Sequence, residues 1–370
     1  GRCASSRLIA TGGVPTVFLT QLPYLGRAVL NALKFGLALT LAGARFTPEL
    51  FVGGREPGSV LIYPVQRSGR FITVVSVTNS NTDPALPGTL GGTTDIHYQY
   101  LNVIPSLDPF LPYDCVVVDR VERLTPADTL SVLTACHNAT GNRQEGYLVV
   151  AAQSPGTFKD WSHNYLMGSE LVVDARGAVY TLNAIPFASP VAAGGFTDLD
   201  GDSQLDFDGM EYEQIPDTLY IDNFIAVANS SLALLNLTAG PGFNAVVQFH
   251  IWNDNEFPLS ATKTFRCWFD ERLTKISPVF ENFFLFNNTP NDPNELDLNC
   301  DNVGDIETGW VRINGIVANS VVESIPNPAL LGSITAGPDD GLATPINGGR
   351  LLWESVAKQD NGDFIKYGVD

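Results

Sequence analysis

Two tandem, internally repeated β-sandwich domains in an all-β chain are what this sequence predicts, and three observations lead there. The first is a repeat: IHYQYLN at 96–102 returns as VQFHIWN at 247–253. Each copy is followed 13 or 14 residues later by a cysteine, Cys115 and Cys267, and each cysteine by a proline 11 residues on, Pro126 and Pro278. Cys136 and Cys300 come next, then the pairs Gly146-Tyr147 and Gly309-Trp310, then LMGS around Gly168 and LLGS around Gly332. Landmarks held in register across two halves mark a repeat architecture. The second observation is composition: 16% charged and 44% hydrophobic residues, with 34 Gly and 24 Pro but only 2 Met, suit short strands joined by turns. The third is a series of β-rich runs separated by turn residues.

Taken in order, the chain opens with a stretch that belongs to neither half. Residues 1–44 hold no acid, and an apolar run at 35–41 follows Lys34 and closes on Ala42-Gly43-Ala44. A basic residue, a short apolar core and an A-x-A end are the parts of a secretory signal peptide, with the residues upstream of about Val29 read as untranslated read-through. The run is too short and too charged for a transmembrane helix, so no membrane span is expected in the mature form.

The first sandwich is expected over 56–190, with strands at 59–65, 71–79, 96–102, 146–152, 169–174 and 178–184 and a hairpin across 116–121 and 128–135. An acidic linker follows at 191–212, then the second sandwich over 213–370. Its strands are expected at 218–224, 232–238, 245–252, 266–275, 279–286, 310–317 and 350–354. Alternation in the shared strand sends Ile96, Tyr98 and Tyr100, like Val247, Phe249 and Ile251, to the core. The opposite face carries His97 and Gln99 in one copy and Gln248, His250 and Trp252 in the other, and is the expected ligand-binding surface.

Without the leader, four cysteines remain, and an even number in an exported chain reads as a disulfide framework. A hairpin centred between Thr125 and Pro126 would place Cys115 opposite Cys136 at its open end, within disulfide reach. The repeat extends that pairing to Cys267 with Cys300, the polar insertion at 288–299 being looped out.

The chain carries 21 Lys and Arg against 40 Asp and Glu, a net charge of −19. Such a balance argues against nucleic acid or anionic lipid as partners. Its densest acidic segment is the linker, where Asp198, Asp200, Asp202 and Asp206 stand at positions 1, 3, 5 and 9 of a tight loop and Gln204 offers a carbonyl at position 7. Hard oxygen donors at that spacing suit Ca²⁺. The loop is similar to the calcium loops of EF-hand and dockerin-type modules, but Ser203 replaces the glycine of position 6 and Gly209 stands where the bidentate Glu belongs. Asp292, Glu295 and Asp297 in the insertion form a weaker acidic group.

Catalytic patterns are sparse. None of the four histidines, His97, His137, His163 and His250, has an i, i+4 partner of the kind that binds zinc, and no nucleophile-elbow or phosphate-loop pattern is present. No carboxylate pair stands out as a glycosidase centre. A duplicated module also weighs against an enzyme, because repetition serves binding more than catalysis.

The segments GSVLIYP at 58–64, VTNSNTD at 77–83, Cys115, LTPADT at 124–129 and EGYLVV at 145–150 resemble a pattern found in uncharacterised exported proteins of environmental bacteria. That resemblance covers mainly the first half and implies export without implying an activity. The expected function is therefore a non-enzymatic structural or adhesion module, extracellular, at the cell surface or periplasmic, whose partner is a surface or matrix protein or a polysaccharide. The alternative is a carbohydrate-binding protein, or an accessory of polysaccharide degradation, that uses exposed aromatics such as Trp252, Trp268 or Trp310. Of these, Trp310 is expected in the core, by alignment with Tyr147. A secreted hydrolase comes third.

Overall fold

The computed structural model describes residues 56–105, 113–138, 145–175, 179–215, 218–226, 230–238, 243–253, 255–288, 296–297, 300–301, 304–319, 324–326 and 328–336, with short strands at 348–351, 353–354 and 363–364. The expected leader at 1–44 lies outside these residues, as do Asp292 and Glu295. Among the described residues, no helix is long and apolar enough to cross a membrane.

The chain is an all-β sandwich protein. Its first half contains β1 (Val60–Gln66), β2 (Phe71–Asn79), β3 (Thr94–Pro105), β4 (Tyr113–Leu124), β5 (Thr129–Leu133), β6 (Glu145–Gln153), β7 (Leu166–Asp174), β8 (Val179–Asn183) and β9 (Ile185–Phe187). A two-residue strand, β10 (Leu205–Asp206), follows in the acidic segment. The second half contains β11 (Leu219–Ile225), β12 (Ser231–Asn236), β13 (Phe243–Asn253), β14 (Pro258–Phe265), β15 (Trp268–Arg272), β16 (Thr308–Asn319), β17 (Ser324–Pro326), β18 (Leu330–Ala336), β19 (Gly348–Leu351) and β20 (Trp353–Glu354), and β21 (Asp363–Phe364) pairs back with β10.

Strand order is the same in both halves. Sheets β4-β3-β6-β1-β9 and β5-β2-β7-β8 correspond, strand for strand, to β14-β13-β16-β11-β20 and β15-β12-β18-β19. The irregularities correspond too: β1 gains one residue over β6 between Tyr63 and Gln66, and β11 gains one over β16 between Ile221 and Phe224. Both bulges close on the glycine of the repeated Gly-aromatic pair. Gly146 lies opposite Asn102 and Gly309 opposite Asn253. Neither site admits a side chain: a Cβ on Gly146 would meet the Leu101 carbonyl oxygen at 1.9 Å, and one on Gly309 the Trp252 carbonyl oxygen at 2.3 Å.

Among the described residues three main cores lie between the four sheets, and a smaller cluster of Val65, Val172, Tyr180, Leu182 and Ala233 joins the halves beside them. Tyr63, Val75, Val77, Tyr98, Tyr100 and Leu148 fill the first sandwich, and Leu232, Leu234, Val247, Phe249, Ile251 and Ile313 the second. The third core lies between the halves, where Val60, Ile62, Leu101, Tyr147 and Val149 meet Leu235, Leu237, Trp268 and Leu331. Leu205, Phe207, Tyr212 and Ile215 of the acidic segment enter this joint core as well. The two inner sheets are thus buried on both faces, which is why β1, β6 and β12 are continuous apolar runs rather than alternating ones. Strands β2, β13 and β14 belong to outer sheets and alternate.

Several expectations are corrected. Residues 116–135 are not a hairpin: β4 pairs with β3 and β5 with β2, so the chain turns a corner from one sheet to the other. Residues 279–286 are not a strand but a 3₁₀ turn, Pro278–Phe280, and a helix, Asn282–Asn288. Ser277 caps the turn by accepting a hydrogen bond from the Val279 amide, Pro278 starts it, and Phe280 and Leu285 are buried while Phe283 faces out. Residues 266–275 hold the five-residue β15 and then a short helix, Leu273–Ile276, with the edge strand β14 ahead of them.

The disulfide is also rearranged. Cys115 is bonded to Cys267, with Cα atoms 6.6 Å apart, and Cys136 and Cys300 lie exposed outside that bridge. With β4 and β5 in different sheets, the ladder register that would set Cys115 opposite Cys136 does not form. The side of β4 that carries Cys115 is turned instead toward the joint core, where Cys267 is buried.

Candidate functional site

Two surfaces hold the residues singled out by sequence. The first is the acidic loop, whose fold follows from short-range bonding by its own carboxylates. Asp198 Oδ1 accepts from the Gly201 amide at 2.8 Å, Asp200 Oδ1 from Asp202 at 3.0 Å and Asp202 Oδ1 from Gln204 at 2.7 Å. Asp side chains favour such turns because they accept from backbone two or three residues on. Ser203, at position 6, takes the left-handed φ of 64° that a glycine supplies in an EF-hand loop.

The loop brings its acids together. Carboxylate oxygens of Asp198, Asp200 and Asp202 lie within 4.8 Å of one another, and so do those of Asp200, Asp206 and Glu211. Glu211 was not among the residues singled out by sequence. It stands two positions beyond Gly209, and a tight turn at Gly209, where φ is 88°, folds it back beneath the loop. There its Oε1 accepts from the Leu199 amide. Burial, with Asp198 and Asp200 adding to it, pushes its carboxyl up to about 7. This cluster can hold a metal ion: its donors are hard oxygens, and a cation would relieve their mutual repulsion. Asp297 lies apart from it, accepting from the Cys300 amide at 2.7 Å.

The second surface is the face of the β14-β13-β16-β11-β20 sheet that no described element covers. Directly paired residues in antiparallel strands share a face, so the register writes out its rows. Pro258, Trp252 and Trp310 form one; Ser260, His250, Arg312 and Tyr220 the next; Thr262, Gln248 and Asn314 a third. The indoles of Trp252 and Trp310 stack with centroids 4.1 Å apart and planes 9° from parallel. His250 stacks on Trp252 at 6.3 Å, and the Arg312 guanidinium lies 5.8 Å over the same ring. Trp310 is 39% exposed, not core as its alignment with Tyr147 suggested.

The corresponding face of the first half is not available. Gln99 is buried and Leu101 belongs to the joint core, while His97 is tied to Asp119, its Nε2 3.1 Å from Oδ1. Trp268 is likewise no surface aromatic: it is buried between the halves and its Nε1 donates to the Pro64 carbonyl at 2.9 Å. The second sandwich covers what the first would otherwise present.

The remaining histidines are built into the interior. His137 Nδ1 lies 2.7 Å from the Tyr100 hydroxyl and its Nε2 3.4 Å from Glu122, and burial with nearby Arg120 pushes it down to about 4. His163 stacks on Trp161 and its Nε2 meets Asn79 Oδ1 at 3.0 Å. The Asn79 amide already donates to the Gly92 and Thr125 carbonyls, so Oδ1 is the acceptor and His163 carries its proton on Nε2. Burial brings it, too, to about 4.

Comparison with protein-family models, with curated proteins and with solved structures found no match for the chain.

Proposed function

We propose that the chain is an exported, non-enzymatic structural or adhesion module of the cell surface or extracellular space, and the observation that carries this reading is the covalently tied joint between its halves. The Cys115–Cys267 bridge spans 152 residues of sequence and lies against a core to which both sandwiches contribute. A disulfide in that position is suited to an oxidising compartment, and two sandwiches fused through it make a stiff body rather than a hinged pair. The acidic loop, whose apolar neighbours enter the same core, is read as a calcium site. Asp198, Asp200, Asp202, Asp206 and the Gln204 carbonyl hold the ion, and Glu211 supplies the carboxylate that Gly209 lacks.

Labelling of intact cells that express the full gene tests this reading, with mass spectrometry of the recovered chain. Surface labelling together with an oxidised Cys115–Cys267 pair is the expected result. A chain confined to the cytosol with both thiols reduced would overturn it.

A second reading is favoured by the stacked Trp252 and Trp310: the module recognises a glycan through the free face of the second sandwich. The exposed Trp310 adds nothing to the core on that side, whereas a sugar ring stacks on such a surface.

A further inference from the structure

We infer that the face formed by Trp310, Trp252, His250, Arg312, Gln248 and Asn314 binds the pyranose rings of a neutral polysaccharide, an inference that rests on the glycan reading and names its ligand class. Shape is the first argument. The three rows from Trp310 to Asn314 span on the order of 200 Å² of flat sheet, room for a few sugar rings, and the face continues beyond them through Val246, Thr264 and Ile316.

Chemistry is the second. The paired residues of these rows carry no carboxylate, although the β11 bulge at Asp222 and Asn223 lies opposite Trp310. Instead, two indoles are flanked by hydroxyls at Ser260 and Thr262 and amides at Gln248 and Asn314. Hydroxyls and amides both donate and accept, as sugar hydroxyls do. An indole offers a flat apolar surface to the C–H face of a pyranose.

Pre-organisation is the third. Trp252 stacks on both Trp310 and His250 and has the Arg312 guanidinium 5.8 Å over its ring, contacts that restrict the indoles before a ligand arrives. Little side-chain entropy is then lost on binding. Where the stacked sandwiches cover the equivalent positions, the chain has Leu101 and Tyr147, both buried. Where the face is free, it has two tryptophans.

Charge decides between glycan classes. A net charge of −19 repels a polyanion, and Arg312, lying over Trp252, is the one cation in these rows. The ligand is therefore neutral.

The test is affinity electrophoresis and calorimetry of the full chain, Trp310→Ala, Trp252→Ala and Trp310→Phe. The probes are neutral polymers (a β-glucan, an α-glucan, a xylan and a mannan) and acidic ones (alginate and polygalacturonate), with thermal unfolding and sedimentation run alongside. Expected is binding to at least one neutral polymer, weakened tenfold or more by Trp310→Ala and largely kept by Trp310→Phe, with an unchanged unfolding midpoint. Binding to acidic polymers alone, lost with Trp310→Ala, would overturn the neutral ligand and keep the glycan reading. Binding to no polymer would overturn both. Neutral binding indifferent to both alanine variants, or self-association that Trp310→Ala abolishes, would overturn this face as the glycan site.

Discussion

The guanidinium of Arg67, just beyond β1, is buried against the carboxylate of Asp270 on β15, and this ion pair joins the two halves. Breaking such a pair from one side costs more than removing it whole, because the survivor keeps its charge without its partner. Asp270→Ala is expected to lose about 3–5 kcal/mol, and Arg67→Met combined with Asp270→Leu to recover most of it. Urea unfolding of the three variants measures the difference. Equal losses in the single and double variants would show that packing, not charge, holds this part of the joint.

Glu170 on β7 provides the pH test. Burial raises its carboxyl well above the usual range, against the opposing pull of Arg67 and the Val65 amide. A folded value above the unfolded one means that its contribution is fully present below the ordinary carboxylate pKa and is lost as pH rises through the folded value. Glu170→Gln stays neutral at every pH. Its stability advantage over the wild type should therefore grow from about pH 5 upward, by up to about 1.4 kcal/mol per pH unit. Unfolding curves at a series of pH values between 5 and 8 give the answer, and parallel pH profiles would show that the wild-type protein folds around an ionised Glu170.

What the sequence disclosed depended on how each strand is buried. The repeat marked β3 and β13, β6 and β16, β7 and β18 as equivalents, because bulges and close approaches at Gly146 and Gly309 leave fixed residue types at fixed places. Alternation located the free face of β13 correctly, down to Gln248, His250 and Trp252. It failed for β3, where Gln99 lies on a second core face formed only when the halves stack. The continuous apolar runs VLIYPVQ and EGYLVVAAQ carried that information, since a strand with one wet face would alternate. Strand β14, with its exposed Pro258, Ser260, Thr262 and Thr264, was too polar to stand out from a loop. The cysteine pairing was beyond local arithmetic, because Cys115 and Cys267 meet through tertiary stacking. Glu211 escaped because the loop's turn at Gly209 adds two residues to the usual spacing.

The bridge itself is open to direct test. Peptide mapping without reduction should recover a Cys115–Cys267 cross-link, and Cys115→Ser should cost on the order of 2–4 kcal/mol. Cys300→Ser, at an exposed position, should stay within about 0.5 kcal/mol of wild type. A cross-link from Cys115 to Cys136 would require β4 and β5 to pair in one sheet, and so would contradict the strand order as well as the bridge.

The acidic loop makes the most specific demands, because Ser203 and Glu211 are predicted to act in opposite directions. Ser203 is exposed and holds a left-handed backbone that costs an L-residue about 1–2 kcal/mol and a glycine almost nothing. Ser203→Gly should therefore stabilise the loop by about 1 kcal/mol and, with the turn already formed, strengthen calcium binding. Glu211→Gln removes a buried carboxylate whose oxygens lie near Asp200 and Asp206. It should weaken binding by about tenfold or more while relieving repulsion in the ion-free protein, so stability without calcium rises as affinity falls. Asp200→Ala with Asp202→Ala should abolish binding, and calcium should raise the unfolding temperature of the wild type alone among these two. Calorimetric titration of all four proteins, followed by unfolding with and without chelator, separates the outcomes. Equal affinity in the wild type and the double Asp variant would take the cation out of the loop, leaving Glu211 as a buried acid held by the Leu199 and Asp206 amides.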